Sequence, residues 1–400
     1  MKPPLPLEEA QAHLLALATL LPVEHMAVEE AQGRYLAQPL TARRTQPAAD
    51  MSAMDGYALA PGDLAGPWRV VGESAAGHPF ARVVRRGEAV RISTGAMLPA
   101  GADVVLCQED TGREGDLLRL TGTPPCPADA HIRRAGFDFD AGHPLLPAGA
   151  WIGPAQIALA IAAGHRHLPV RRRPRLAIID SGDELAPDGG DCPPHQIPAS
   201  NGAMLAAMVA QVAARVQRIG PVPDDLGALV AAMDAAGDAD VIVTSGGASV
   251  GDHDLIRPAL EQWGAELDFW RVAIRPGKPL LIARRGGQVV IGLPGNPVAS
   301  LVTAYLFLLP LLRAMLGASR VLPTPVRAVL AGAMAPGGQR REFLRGWWDG
   351  QGVEPRMMRD SSALASMAVS NCLIERAVGA PGAVAGDEAR IYLLGHGGIA

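Results

Sequence analysis

The sequence predicts a multidomain α/β protein whose central part is a doubly wound, mostly parallel sheet. The 400 residues exceed what one hydrophobic core usually holds, which indicates about two to four domains. Between residues 175 and 300, apolar strands alternate with helical segments, a pattern typical of right-handed βαβ units. The flanking segments are rich in short strands and turns, in keeping with 46 Gly and 35 Pro in the chain.

The composition indicates a globular protein of the cytoplasm. A formal net charge of -4 argues against broad electrostatic binding to nucleic acid, which requires a basic face. The four cysteines form no Cys-x-x-Cys pair, so neither a disulfide scaffold nor a zinc ribbon is expected. The N-terminus carries Glu8 and Glu9 where a signal peptide needs a basic end. The longest apolar run, residues 298–312, is shorter than the ~20 residues of a membrane span and predicts a buried helix.

The N-terminal region begins with helices and then becomes strand-rich. Helical spacing of apolar residues predicts an amphipathic helix over residues 7–21 and a second helix at 28–31. Apolar runs at 68–71, 83–84, 90–92 and 104–106 predict a small β-barrel or sandwich within residues 43–140. Asp55 and Thr94 each precede a glycine turn there, and residue chemistry alone favours turn formation over ligand binding for both.

A short helix and a basic run lead into the central part. Residues 154–163 predict a helix with Pro154 at its start. The arginine-rich run at 171–175 fits a phosphate patch or a solvated domain junction, and the second is favoured because the run is short and enters a strand directly.

The central part places its polar turns at one edge of the predicted sheet. Strands at 176–179, 216–219 and 241–244 alternate with helices at 201–214, with Asn201 as N-cap, and 225–236. Polar turns follow the strands at 181–184, 223–225, 245–254 and 295–297. All of them lie at carboxyl ends, where ligands bind in sheets of this kind. Asn296 is expected to cap, and Pro297 to begin, a helix that runs to about residue 316.

These turns carry residue types suited to a phosphate-bearing ligand. Glu184, Asp225 and Asp254 are hard oxygen ligands for Mg²⁺, whereas Arg275 and Lys278 bind oxyanions. The glycine-rich turn at 245–251 offers backbone N–H donors. Each residue alone also fits a structural role, as a helix N-terminal acid, a turn former or a surface cation. Their clustering favours a binding site.

Several common enzyme classes are not indicated. The chain has no G-x-x-x-x-G-K-[ST] phosphate loop, no G-x-G-x-x-G after a strand and no H-E-x-x-H pair. After Pro323 and Pro325, strands at 326–330, 343–348 and 391–394 predict a second small β domain.

Seven motifs, in order, resemble those of the molybdopterin molybdenumtransferase family, which includes MoeA-type bacterial proteins and the gephyrin E domain. They occupy residues 52–58, 91–103, 181–185, 222–225, 245–254, 276–279 and 293–298. The resemblance implies a molybdopterin-binding, MogA-like central domain (1–22 plus 171–319) and an elongated linker domain (23–42 plus 141–170). It also implies an inserted small β domain (43–140) and a C-terminal β-barrel-like domain (320–400).

The same resemblance implies an activity. Such an enzyme inserts molybdate into adenylylated molybdopterin and releases AMP with the aid of Mg²⁺, giving molybdenum cofactor. It would be a cytoplasmic homodimer that transiently contacts the adenylyltransferase and the cofactor-accepting enzymes. The cleft would lie between the central sheet and the partner's small β domain, so Asp55 and Thr94 would act there as ligand-binding groups after all.

Carried over by position, the resemblance implies a set of site residues. The catalytic set is Asp55, Thr94, Glu184, Asp225, Asp254 and Lys278. Of these, Glu184, Asp225 and Asp254 would bind the metal. The substrate-binding set is Asp138, Ser245, Gly246, Gly247, Ser249, Gly251, Arg275, Pro294, Gly295, Asn296, Pro297, Arg341, Arg345, Ser361 and Ser362. For the molybdate environment, Arg345 and Arg341 are alternatives, as are Ser362 and Ser361.

Two positions depart from the family pattern. Arg275 stands where the family usually has Lys, and Ala299 where a Ser usually follows Asn-Pro-Val. Ser300 is not expected to replace that hydroxyl, because one residue along a helix turns about 100° away. A cofactor-binding scaffold without activity, or a tungstate-using homologue, are therefore alternatives.

Overall fold

The computed structural model describes residues 3–187, 189–213, 215–246, 255–356 and 360–395. The first element along the chain is a helix. Helix α1 (Leu7–Ala16) buries Leu7, Ala10 and Leu14 against the central core and carries Glu8 and Glu9 in its first turn. It ends at Ala16, short of the predicted residue 21, and Pro22 disfavours a helical backbone at Leu21 directly before it.

Residues 23–171 form short strands and one further α-helix. The strands are β1 (Val23–Ala27), β2 (Leu40–Thr41), β3 (Met51–Ser52), β4 (Gly56–Leu59), β5 (Trp68–Ser74), β6 (Glu88–Ile92), β7 (Val104–Cys107), β8 (Thr111–Glu114), β9 (Leu117–Leu120), β10 (Ile132–Arg133), β11 (Pro144–Leu146) and β12 (His167–Arg171). Helix α2 spans Pro154–Ala162, as predicted. The predicted helix at 28–31 is one 3-10 turn, Val28–Glu30.

Two structural units occur within this region. In the first, β1 pairs antiparallel with β12 and β2 with β11, around a core that includes Leu36, Ile152 and Leu168. The second is a six-stranded sheet in the order β7-β4-β6-β5-β9-β8. Alternation along β4 directs Tyr57 and Leu59 to one hydrophobic cluster and Ala58 to another. The strand predicted at 83–84 is wrong, because these residues lie in a loop.

The central part contains the following elements in chain order. They are β13 (Arg175–Ser181), β14 (Leu185–Ala186), β15 (Ile197–Pro198), α3 (Asn201–Val209), β16 (Arg215–Val222), α4 (Leu226–Ala235), β17 (Val241–Ser245), α5 (Ile256–Gln262), β18 (Glu266–Arg271), β19 (Ile274–Arg275), β20 (Pro279–Arg285), β21 (Gln288–Leu293), α6 (Pro297–Thr303) and α7 (Leu309–Met315).

These elements form the predicted doubly wound sheet. Its strand order is β16-β13-β17-β21-β20-β18, parallel from β16 to β21 and antiparallel at β20 and β18. Helices α1, α3, α6 and α7 contribute to the core on one face, and α4 and α5 to the core on the other. The polar turns after β13, β16 and β21 therefore lie at carboxyl ends, as predicted. Of the predicted turn after β17, the structure describes residues 245 and 246, and residues 247–254 lie outside the described ranges.

A π-helical turn, Ala304–Leu308, joins α6 to α7. Pro310 has no backbone N–H, and the Leu306 carbonyl four residues earlier accepts instead from the side chain of Gln11 in α1 (2.9 Å). The continuous segment Pro297–Met315 is long and apolar enough to span a membrane, but 89% of it is buried inside the protein. It is the predicted core helix.

The C-terminal part is a closed five-stranded barrel. Its elements are β22 (Val326–Leu330), β23 (Arg341–Trp348), β24 (Gly352–Pro355), α8 (Leu364–Ala368), β25 (Cys372–Arg376) and β26 (Glu388–Leu393). The order β23-β24-β22-β26-β25 closes through pairing of β25 with β23. Strand β19 of the central part pairs with the start of β23, which holds the barrel against the central sheet's carboxyl edge. The exact division into four domains stays a prediction.

Candidate active site

Two adjoining cavities lie where the carboxyl edge of the central sheet meets the barrel. We call the first, of about 390 Å³, the cationic cavity; it is lined by Arg275, Pro276, Gly277, Lys278, Pro279, Pro294, Asn296, Val298, Ala299, Arg340, Phe343, Leu344, Arg345, Arg356, Asp360 and Ser361. We call the second, of about 700 Å³, the sheet-edge cavity; it is lined by Asp180, Ser181, Glu184, Leu185, Ile197, Pro198, Ala199, Ser200, Asn201, Ser245, Gly246, Pro279, Pro294, Gly295, Asn296, Pro297, Ser362 and Leu364. Pro279, Pro294 and Asn296 line both, so the cavities form one groove.

The cationic cavity has a strong positive charge. Four arginines and Lys278 line it, against the single carboxylate of Asp360. The turn that carries Arg275 and Lys278 lies close to α6, because Gly277 (φ 104°) would place a Cβ only 2.4 Å from the Thr303 side chain. Arg275 donates to the buried Glu342 carboxylate (3.1 Å), whereas the Lys278 ammonium has no salt bridge or hydrogen bond within the described ranges.

The structure distinguishes the two arginines that were alternatives for the molybdate environment, Arg341 and Arg345. Arg345 lines the cationic cavity, is 4% exposed, and donates to the Ala363 carbonyl (3.0 Å). Burial lowers the pKa of its guanidinium, and the nearby Asp360 carboxylate partly opposes this. Arg341 does not line the cavity, because its guanidinium pairs with Glu8 of α1 and with Glu375 of β25 (3.4 Å). The geometry therefore favours Arg345.

The two alternative serines line different cavities. Ser361 lines the cationic cavity, and its hydroxyl accepts from the Asn296 amide (3.0 Å). Ser362 lines the sheet-edge cavity, and its hydroxyl and backbone N–H donate to Asp360 (2.7 and 2.8 Å), which holds the pKa of Asp360 below its usual value. Asn296 occupies the N-cap position of α6, as predicted, but its side chain bridges to the barrel instead of capping the helix.

The side chain of Asn201 links two turns that line the sheet-edge cavity. The Asn201 amide donates to the Ser245 hydroxyl (2.9 Å) and to the Gly295 carbonyl (2.6 Å), joining the turns after β17 and β21. The prediction of Asn201 as N-cap is wrong, because Ser200 holds that position and the Asn201 side chain is used across the site. Gly246 (φ 104°) would place a Cβ 2.4 Å from the Ser181 carbonyl, so only glycine allows this approach.

The proposed metal ligands are only partly described. Glu184 is exposed and lines the sheet-edge cavity. Asp225 lines neither cavity; it caps α4 by accepting from the Ala228 N–H (2.8 Å), which is the structural role weighed above. Asp254, with Gly247, Ser249 and Gly251, lies outside the described residues. Within the described ranges, no three His, Cys, Asp or Glu side chains cluster in a way that could hold a metal ion.

The predicted site residues of the region 43–140 line neither cavity. The Thr94 N–H donates to the Asp55 carboxylate (2.6 Å), which lowers the pKa of that exposed group. Asp138 is exposed, and its backbone N–H donates to the Gln46 carbonyl (3.0 Å). Neither these residues nor their neighbours line the groove of the same chain.

Sequence reasoning missed four groups that the groove contains. Arg340 and Arg356 add to the cationic cavity, while Asp180 and the Asn201 amide belong to the sheet-edge cavity. Asp180 carried a usable signal, since a carboxylate ends the apolar run at 176–179 directly before a polar turn. The expectation about Ser300 is confirmed, because Ala299 lines the cationic cavity and Ser300 does not. The Ser300 hydroxyl is buried and has no hydrogen-bond partner among the described residues.

Three family models match successive parts of the chain. They are the MoeA N-terminal region (domain I and II) at residues 5–164, the "Probable molybdopterin binding domain" at 177–314 and the MoeA C-terminal region (domain IV) at 327–394.

Curated proteins and solved structures agree with these matches. A molybdopterin molybdenumtransferase from Nostoc sp. is 38% identical over 301 residues, covering 72% of this chain and 69% of its own. One from Haemophilus influenzae is 32% identical over 380 residues, covering 92% and 94%. The crystal structure of the molybdopterin biosynthesis moeA protein from Pyrococcus horikoshii OT3 is 26% identical, with a TM-score of 0.85 over 98% of this chain and 100% of its own. The chain therefore belongs to the molybdopterin molybdenumtransferase family.

Proposed function

We propose that this enzyme inserts molybdate into adenylylated molybdopterin and releases AMP with the aid of Mg²⁺, giving molybdenum cofactor. Family membership makes it a transferase of molybdenum cofactor biosynthesis. The observation that supports the finer proposal is the groove: a pocket lined by five cations adjoins a larger cavity at the sheet edge. A small oxyanion and an elongated organic substrate then meet at Pro279, Pro294 and Asn296.

The residues of the cationic cavity suit a tetrahedral dianion. Lys278 offers an ammonium without a competing partner in the described part of the chain, and Arg345 is a buried guanidinium. Arg275 uses one nitrogen on Glu342, so its remaining N–H groups are available to an oxyanion. The Ser361 hydroxyl already accepts from Asn296, which leaves its own hydrogen to donate. Molybdate in this cavity would be neutralised from several sides.

A divalent cation is part of the proposal. Glu184 is the described carboxylate best suited to it, because its side chain is exposed at the sheet edge and has no hydrogen-bond partner within the described ranges. One oxygen of Asp225 caps α4, which leaves the other for a metal. Mg²⁺ would neutralise the phosphate oxygens of the anhydride whose cleavage releases AMP.

The proposal includes a cytoplasmic homodimer. Asp55 and Thr94 form a polar pair on an exposed turn, yet they do not line their own chain's groove. A second copy of the chain would bring them to it. Transient contacts with the adenylyltransferase and with cofactor-accepting enzymes belong to the same proposal.

AMP release tests the proposal directly. Purified protein, Mg²⁺, molybdate and adenylylated molybdopterin are incubated, and AMP is measured by chromatography. Lys278→Ala should lower the rate about 10²–10³-fold, the usual effect of losing one preorganised charge-stabilising donor. Arg327→Ala removes an exposed cation of the barrel and serves as the matched control, with an unchanged rate expected.

Two outcomes would favour the alternatives. A folded wild-type protein that binds the nucleotide substrate without AMP release would be a scaffold, and Arg275→Lys with Ala299→Ser should then restore turnover. A lower half-saturating concentration for tungstate than for molybdate in the same assay would indicate a tungstate-using enzyme.

A further inference from the structure

A buried carboxylate in the sheet-edge cavity has no part in the function proposed so far. Asp180 stands near the carboxyl end of β13, is 3% exposed and lines the cavity. The start of α3 lies directly over it: a Cβ on Gly202 would be 2.1 Å from the Asp180 Oδ2 atom, so glycine is required there. The chain thus makes room for this side chain.

Among the described residues, the Asp180 carboxylate is held in no salt bridge. Arg218 of β16 lies beside it across Gly202 and acts on it electrostatically. Burial raises the pKa of Asp180 to about 6, against the opposing effects of Arg218 and the Gly202 N–H. A buried carboxylate without a salt bridge destabilises the folded chain, which is typical of a group kept for ligand binding.

The lining of the sheet-edge cavity is rich in hydrogen-bond acceptors. Among the residues that the structure describes, neither Lys, Arg nor His lines this cavity. The Ser181 hydroxyl and the Asn201 carbonyl oxygen are buried without hydrogen-bond partners in the described part of the chain. Leu185, Ile197 and Pro198 supply apolar walls. This cavity therefore has the opposite electrostatic character to the cationic cavity beside it.

Because of this contrast, a substrate that is anionic at one end and heterocyclic at the other would place each end in a different cavity. Phosphate oxygens and molybdate suit the cationic cavity. A flat ring with adjacent N–H donors suits the sheet-edge cavity. The 2-amino-4-oxo edge of a pterin presents two parallel N–H donors, which a carboxylate accepts bidentately as it does from a guanidinium fork. Adenine presents a donor beside an acceptor, and an ionised carboxylate matches only one of them.

We propose that Asp180 is a specificity-determining residue that accepts both N–H groups of the pterin edge and thereby seats the pterin end of the substrate in the sheet-edge cavity. This assignment rests on the proposed function, since it concerns the orientation of the same substrate. It excludes the reverse orientation, in which the adenine would occupy this cavity.

The test compares two non-reacting probes, free pterin and AMP, on the intact protein. Asp180→Asn keeps the shape of the side chain but replaces one acceptor oxygen by a donor NH₂, which clashes with the pterin edge and matches adenine. We expect pterin affinity, measured by quenching of pterin fluorescence, to fall about 10–100-fold in this variant. AMP affinity, measured by calorimetry, should change less than about threefold. Asp116→Asn, an exposed acid of the small β sheet, is the matched control and should leave both affinities unchanged.

The outcomes are separable from those of the activity assay. Equal pterin affinity in wild type and Asp180→Asn, or a loss confined to AMP, would overturn the assignment even if AMP release from the full substrate is normal. A selective loss of pterin binding supports it even if the wild type fails to release AMP, which would overturn only the proposed function. A thermal midpoint of Asp180→Asn no lower than that of wild type confirms that affinity changes do not reflect unfolding.

Discussion

At the scale of single residues, Lys278 differs from the four arginines that share its cavity. The chain holds only two lysines, Lys2 and Lys278, among its 36 lysine and arginine residues. An ammonium is a compact point charge with three donors, and it gives up a proton far more readily than a guanidinium does. The chain uses arginine for nearly every other cation, including Arg275. The lysine at 278 therefore has a property that arginine does not supply there.

The scarcity of lysine permits a footprint of the oxyanion. Amine-acetylating reagent is applied with and without molybdate, and peptides containing Lys278 and Lys2 are measured by mass spectrometry. At ten times its dissociation constant, molybdate leaves about a tenth of sites free, so acetylation of Lys278 should slow about tenfold. Lys2 serves as the internal control and should react at the same rate in both samples. Equal acetylation of Lys278 with and without molybdate would remove this residue from the oxyanion site.

At the scale of elements, the sequence predicted the strands and turns that depend on the local residue pattern. It did not predict the side-chain contacts that depend on residues distant in sequence. The strand at 326–330 and the polar turns at carboxyl ends follow from alternation and from the βαβ rhythm. The choice between Arg341 and Arg345 did not, because it depends on Glu8, more than 300 residues away in sequence. Asn201 was misread for the same reason: its true partners lie on the turns after β17 and β21.

A long-range contact of this kind also supports the π-helical turn between α6 and α7. Gln11 is 7% exposed and supplies the donor that Pro310 cannot give to the Leu306 carbonyl. Gln11→Met keeps an unbranched side chain of similar length but leaves this buried acceptor unsatisfied, at an expected cost of about 1–3 kcal/mol. The measurement is the urea midpoint of unfolding. Glu9→Gln, on the exposed side of the same helix, should change stability by less than about 0.5 kcal/mol. An unchanged midpoint in Gln11→Met would show that the contact adds nothing to stability.

At the scale of the whole molecule, the groove of one chain lacks two of the residues that the proposed reaction assigns to it. Its walls come from the central sheet and the barrel, which β19 and β23 hold together. The Asp55–Thr94 pair lies on a separate sheet and lines neither cavity. In the proposed homodimer, this arrangement fits a reaction centre shared between two copies, with Lys278 from one chain and Asp55 from the other.

Mixing two inactive variants distinguishes a shared centre from one confined to a single chain. Asp55→Asn and Lys278→Ala are each expected to release AMP poorly as pure proteins. When the two are unfolded together and refolded at equal amounts, about half of the dimers are hybrids. Each hybrid contains one centre with both defects and one with neither, so about a quarter of wild-type AMP release should return. Mixing without refolding is the control, and should restore little while subunits do not exchange. If the refolded mixture stays as inactive as its components although hybrids form, Asp55 and Lys278 act within the same chain, and the shared centre is wrong.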